Sequence, residues 1–248
     1  APSTGGSVHG SWAYLAKGHA DTVSTTLTTQ GDLLYRDGSG LQRLAKPASN
    51  KFLQNTSGGV LSWESVSSDM VKLVEVTAGG SESQISVDGY FSSTYKVYKA
   101  YIRNIGFNGD VTGYFLMRVN VGGSAHSSGY YSSDDGAYGE SGQSVYWKDR
   151  RYNGGEFNHG GWNAPTVTTS GLTNSIAAEY TFWNPTSTTF HKNVKYEYGG
   201  WERALTYTYG GTGSGVIHTT SALTGFTFKQ NGTSTIKAGT VVTLYGIK

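Results

Sequence analysis

The chain has 248 residues, of which only 15% are charged, with a formal net charge of +2. So small a bias excludes nucleic acid and anionic membrane as the main partner. Cysteine is absent, which excludes thiol redox chemistry and thiolate metal sites and leaves packing or oligomerisation as the source of stability.

Gly contributes 36 residues and Tyr 18, whereas Pro contributes 4 and Met 2. Together with abundant Ser and Thr, this composition describes many short strands joined by turns. Residues 1–28 carry little periodicity, and Trp12, Tyr14 and Leu15 form a single apolar cluster among Gly, Ser and Thr. Two readings stand side by side: a flexible arm, or an arm that docks on a larger assembly through these three residues.

Residues 29–66 form a module of two small hairpins. The first is Gly31 to Tyr35, a turn over Arg36–Gly40, then Leu41 to Leu44; the second is Lys51 to Gln54, a turn through Ser57-Gly58-Gly59, then Val60 to Trp63. Ala45 to Asn50, between them, is expected to make one helical turn. Neither hairpin has enough apolar residues for its own core, and isolated hairpins of this size are marginal in water. The economical partner is another copy of the chain. A homotrimer is expected, with Leu33, Leu44, Leu53, Leu61 and Trp63 near its axis.

This stretch resembles a module of tail-fibre and related virion proteins of tailed bacteriophages. The pattern there is G-D-[IL]-L-Y-x-[DN]-G-x-G-x-x-R-L, a short linking segment, then [FV]-L-x-x-x-x-G-x-x-x-W. Gly31 to Leu44 and Phe52 to Trp63 match it in order and spacing. The resemblance implies a virion structural protein whose first part attaches to the particle.

From about Met70 onward the chain reads as a second, all-β domain spanning 70–248. Val71 to Thr77 and Gln84 to Asp88 are candidate strands. Tyr95 to Val121 makes the firmest structural statement. Tyr98, Ala100 and Ile102 alternate with Lys99, Tyr101 and Arg103; Val111, Phe115, Met117, Val119 and Val121 share a face opposite Thr112, Tyr114, Arg118 and Asn120, with Leu116 out of pattern. Period two marks a strand with one buried face. A tight reversal over Gly106–Asp110 would make the two strands a hairpin. Further alternation covers Ser175 to Trp183, Val194 to Tyr198, Leu205 to Tyr209, Phe226 and Phe228 before an Asn231-Gly232 hairpin turn, and Val241 to Ile247. About eight to ten strands with no helix predict a jelly-roll-like antiparallel β-sandwich. Tyr95 to Lys99, Phe182 to Ser187 and the closing Leu244-Tyr245-Gly246-Ile247-Lys248 are similar to a C-terminal β domain of phage and prophage structural proteins. That family fixes no receptor-contacting residue by motif.

No catalytic signature is present, so no catalytic residue, cofactor or resident metal is expected. Gly122-Gly123-Ser124-Ala125-His126 lacks the last glycine of a nucleophile elbow. The glycines at 211–215 lack the lysine of a phosphate loop and read as a turn between strands. Asp134, Asp135 and Glu140 suit a hard cation in principle, but a solvated acidic loop is the preferred reading. With Asp149 and Glu156 they supply carboxylates for glycan cleavage, though no spacing pairs them. The knot Lys148-Asp149-Arg150-Arg151 reads as a solvated loop or an intersubunit contact.

Gly122 to Asn163 is a long excursion with little strand period outside Ser144–Trp147, and long loops in compact domains are usually functional or disordered. Its tyrosines amid Ser and Gly suit an adaptable binding surface. Tyr130, Tyr131, Tyr138 and Trp162 are the candidates for contact with a host glycan or protein, whereas Tyr146 and Trp147 are expected to be packed. The opening APSTGGSVHG has no basic and apolar signal regions, and no apolar run has the length of a membrane span. The expected location is therefore the virion, after synthesis in the host cytoplasm, with other tail or capsid proteins as partners and no membrane insertion. A free carbohydrate-binding module and a glycan-degrading tailspike are the alternatives.

Overall fold

The structure, a computed structural model, describes residues 26–65, 68–108, 115–140, 143–159, 176–202 and 207–248. The attachment candidates Trp12, Tyr14 and Leu15 and the contact candidate Trp162 lie outside these residues. The chain divides into two compact units, with the boundary between Ser68 and Asp69.

In the first unit β1 (Leu33–Asp37) pairs with β2 (Gly40–Leu44), and β3 (Phe52–Asn55) pairs with β4 (Leu61–Glu64), both antiparallel. Residues 45–50 carry only bends, not the expected helical turn. The stretch holds Pro47, which disfavours helical backbone at Lys46, and the Lys46 amide is taken by the Asp32 carboxylate. The first hairpin is built on carboxylates. Asp37 Oδ1 accepts from the amides of Ser39 (2.7 Å) and Gly40 (3.1 Å), closing the turn, and Gly40 takes a φ of 125° there. Asp32 accepts from Thr29 N (2.8 Å), Arg43 Nε (2.8 Å) and Lys46 N (2.9 Å), tying the start of β1 to β2 and to the chain beyond it. None of the described residues of this unit is fully buried, and Phe52 is 65% exposed. Leu33 faces Leu44 and Leu53 faces Trp63 across their ladders. Leu33, Leu44, Leu61 and Trp63 are half-buried and Leu53 is exposed.

The second unit contains β5 (Met70–Thr77), β6 (Gln84–Asp88), β7 (Val97–Ile105), β8 (Phe115–Val121), β9 (Ser124–Ala125), β10 (Tyr130–Glu140), β11 (Gln143–Gly154), β12 (Phe157–His159), β13 (Ile176–Trp183), β14 (Lys192–Glu202), β15 (Tyr207–Ile217), β16 (Leu223–Gln230) and β17 (Val241–Ile247). They form an antiparallel sheet in the order β11-β10-β15-β14-β13-β7-β17-β5 and a smaller one in the order β12-β8-β16-β6, with β9 on β8. The set β5-β17-β7-β13 set against β6-β16-β8-β12 is a jelly-roll sandwich; β14, β15, β10 and β11 extend the first sheet beyond it. The core lies between the sheets, with Tyr98, Ile102, Tyr180 and Phe182 from one meeting Phe115, Met117, Phe226 and Phe228 from the other.

Four expectations are corrected by this topology. Residues 95–121 are not a hairpin: β7 pairs with β13 and β17, and β8 pairs with β12 and β16 in the other sheet. Likewise Asn231-Gly232 is no hairpin turn, because β16 and β17 lie in different sheets. Alternation reveals which face of a strand is buried but not which strand it pairs with, and a jelly roll carries successive strands between sheets. The excursion from Gly122 to Asn163 is largely strand, containing β9 to β12. Its Gly, Ser and Tyr satisfy the ladder through backbone groups while hiding the hydrophobic period. Gly211, Gly213 and Gly215 sit inside β15, not in a turn, opposite Tyr198, Tyr196 and Val194 of β14.

Those glycines make room for aromatic rings. A Cβ at Gly211 would lie 2.6 Å from the Tyr198 hydroxyl, and one at Gly213 would lie 2.5 Å from both Asp134 Oδ1 and the Tyr196 ring. At Gly215 it would collide with Phe157. The rings of β14 thus lean over the glycine row of β15 and complete the core beneath the extension.

Candidate functional site

The solvent face of the eight-stranded sheet carries the concentration of open, chemically varied surface. Ladder register arranges its side chains in rows that run across the strands. One row pairs Ala177 with Gly199, Gly199 with Gly210, and Gly210 with Ala137, from β13 to β10. No side chain in it extends beyond Cβ, so over roughly 14 Å, three strand spacings, the backbone itself is the floor. Arg103 stands near one end of this row and Tyr146 of β11, partnered with Ala137, stands at the other.

The next row is Tyr101, Glu179, Glu197, Thr212 and Asp135, in successive register. Beyond it run Lys99, Thr181, Lys195, Ser214, Ser133 and Arg150. Glu179 and Glu197 face each other directly, an unfavourable pairing of like charges. Each is met by a lysine from the neighbouring row: Lys99 Nζ bonds Glu179, and Lys195 Nζ donates to Glu197 at 2.7 Å. The bond to Glu179 raises the Lys99 pKa, and the Lys195 bond holds Glu197 below its ordinary value. Tyr101 and Tyr245 meet edge to face, ring centres 5.8 Å apart, at the side of this groove. The floor and the acidic row bound a groove of about 1040 Å³ that also touches Arg103 and Tyr245.

At the other end of the same face, Tyr131 packs edge-on to Tyr152 at 6.4 Å and to His218 at 6.2 Å, and His218 lies 4.1 Å from His191. Asn153, with φ 53°, sits beside the irregular register of β10 and β11 that follows Tyr152. Trp183 closes the outward row of β13, partnered with Asn193.

Of the four proposed contact residues, Trp162 lies outside the described residues, and Tyr130 and Tyr131 separate. Tyr130 and Tyr131 are neighbours on one strand and so point to opposite faces. Tyr130 is 1% exposed; its hydroxyl accepts from Val119 N (2.9 Å), donates to His126 O (3.0 Å), and its ring meets Phe157 at 5.0 Å. Burial pushes that hydroxyl well above its ordinary pKa. It is an internal strut between the sheets and is withdrawn as a contact residue. Tyr131, at 37% exposure, lies on the solvent face. The backbone of Tyr138 lies in β10, paired with Val145 and Tyr209. Tyr146 is 80% exposed, against the expectation that it packs. It lies on β11, the edge strand of the sheet among the described residues.

The carboxylates are also dispersed. Asp134 is buried and bonded by the Tyr196 hydroxyl, which burial and this carboxylate hold protonated. Glu156 is chelated by Arg118 at 2.8 and 2.5 Å. Asp149 pairs with Asp134 along the ladder, and Glu140 ends β10. Among the described residues no group of three or more His, Asp or Glu could hold a metal ion. Sequence reasoning puts Tyr101 on an outward strand face but singles out none of Tyr101, Trp183, Tyr152 and Tyr245 as a contact candidate; the alternation of β7, β13 and β17 carries the signal for Tyr101, Trp183 and Tyr245, whereas Tyr152 lies in a stretch with no legible period.

Comparison with known proteins returns no matching family, no matching curated relative and no matching solved structure.

Proposed function

We propose that this chain is a bacteriophage virion structural protein, a homotrimeric fibre, spike tip or head decoration, whose second unit adheres to host-surface glycan. The observation that carries the adhesion reading is the open face of the eight-stranded sheet. A floor without side chains lies beside rows of carboxylate, hydroxyl and ammonium groups, with exposed aromatic rings at both ends. Sugars need this combination: hydrogen-bond partners at many angles and flat rings for their C–H faces. The assembly reading is supported by the hairpin unit, whose half-exposed Leu33, Leu44, Leu61 and Trp63 leave apolar surface for other copies to cover.

A free carbohydrate-binding module would use the same face; purified particles containing the chain at a fixed stoichiometry exclude it. The glycan-cleaving alternative meets a specific difficulty. A general acid needs a raised pKa, and Glu197, lowered by Lys195, does not suit that role.

Light scattering of the purified full chain is expected to give a trimer. Tyr131→Ala with Trp183→Ala is expected to lower adsorption to host cells by about tenfold or more, with oligomer and melting temperature unchanged. Unchanged adsorption would remove host contact from this face and leave a decoration role.

A further inference from the structure

We propose that the basic end of this face is a subsite for an anionic sugar, one bearing a carboxylate or a phosphate; this rests on the adhesion reading above and narrows its ligand class. The subsite is a recess of about 460 Å³ whose lining includes Tyr131, Tyr152, Trp183, Arg150, Arg151 and Lys195. Asn193 and Ser214 add neutral hydrogen-bonding groups to its floor. No carboxylate is among the described residues that line it.

The charges of the face are segregated by the register. Asp135, 3.9 Å from Arg150 Nη1, and Glu197, 2.7 Å from Lys195 Nζ, belong to the adjacent row and line the larger groove. They hold the cations in place from one side while the recess sees the cationic side. The Ser133 hydroxyl accepts from Arg150 Nη1 and further orients that guanidinium. A guanidinium presents a planar fork that matches a carboxylate or a phosphate through two parallel bonds, which a hydroxyl cannot satisfy.

The aromatic groups suit the remainder of a sugar. Tyr152 is 78% exposed and stands edge-on to Tyr131, and Trp183 stands on the other side of the recess, on β13. A pyranose stacked on these rings places its acidic substituent toward Arg150, which shares the outward phase of β11 with Tyr152. A neutral sugar gains the stacking without the charge-assisted bonds, so the recess discriminates by charge. The larger groove is lined by Glu179, Glu197 and Asp135 together with Arg103 and Lys195, so it offers an acidic unit no such one-signed surface.

The test uses the full-length chain and paired probes in calorimetry: glucuronate- and galacturonate-terminated oligosaccharides with their methyl esters, and phosphorylated oligosaccharides with their dephosphorylated counterparts. Each acidic probe of the preferred class is expected to bind about tenfold or more tighter than its neutral partner. That preference is expected to shrink as sodium chloride is raised and to vanish in R150Q/R151Q, whose oligomeric state and melting temperature stay unchanged. Whether the uronate or the phosphate pair shows the preference identifies the source of the charge. Equal affinity within every pair overturns the anionic subsite and leaves adhesion through neutral sugars standing. Binding of no glycan at all overturns both. A preference that survives in R150Q/R151Q overturns the assignment to this recess.

Discussion

Asp32 shows how a surface-looking residue becomes a structural one. Its side chain is 1% exposed, whereas that of its partner Arg43 is 34% exposed. Burial alone would raise its pKa, but the bonds from Arg43 and from the amides of Lys46 and Thr29 outweigh it and lower the value from 3.8 to about 2. A folded pKa below the ordinary one means stability that is complete above about pH 4 and lost as pH falls through about 2. Carbon-detected NMR of the Asp32 carboxyl is expected to show that titration. Asp32→Asn, which cannot serve the same set of donors, is expected to lose hydrogen-exchange protection in β1 and β2 at neutral pH. A midpoint near 4 in the native chain would show that the carboxylate is not engaged in this way. Tyr130 and Tyr131 carry the same lesson: one step along a strand separates a buried strut from a surface ring.

At the scale of elements, β15 is the instructive strand. Its run of glycines has the composition of a turn, yet three of the four, Gly211, Gly213 and Gly215, are required by a ring of β14 or β12. Gly213→Ala is therefore expected to destabilise the second unit by about 1–3 kcal/mol, because Asp134 and Tyr196 cannot both withdraw from the core. Thr212→Ala, on the outward phase of the same strand, is expected to stay within about 0.5 kcal/mol. Thermal melts of the two variants measure the difference. Equal effects would mean that the glycines serve backbone conformation and not ring packing. The hairpins of the first unit show the opposite situation, correct local chemistry with no buried apolar side chain among their described residues.

The whole molecule is a core-bearing sandwich and a hairpin unit whose described residues hold no buried apolar core, with the division between Ser68 and Asp69. Residues 69–248 contain every member of the buried apolar cluster. Expressed alone, they are expected to give a soluble β domain that unfolds in one cooperative transition. An insoluble product, or a melt broad enough to need intermediates, would show that the sandwich depends on the preceding unit.

The sequence by itself determined the strands that have one wet and one dry face. Tyr98, Ala100 and Ile102, and again Ile176, Ala178, Tyr180 and Phe182, announce their burial by alternation, and the chain's turn chemistry marks both small hairpins. It determined the sandwich class as well, since many such strands with no helix can bury their faces only against each other. Pairing was decided by tertiary structure alone. Period two says nothing of a strand's neighbours, so β7 and β8 read as a hairpin and fold into opposite sheets. The extension β10–β11 was hidden for a related reason: its inward positions include Ser132, Asp134 and Gly136, opposite the glycines of β15, so no apolar rhythm marks the strand. The candidate site was decided there too. Its floor and its charged rows exist only as a register across strands far apart in sequence, and no window of the chain contains them.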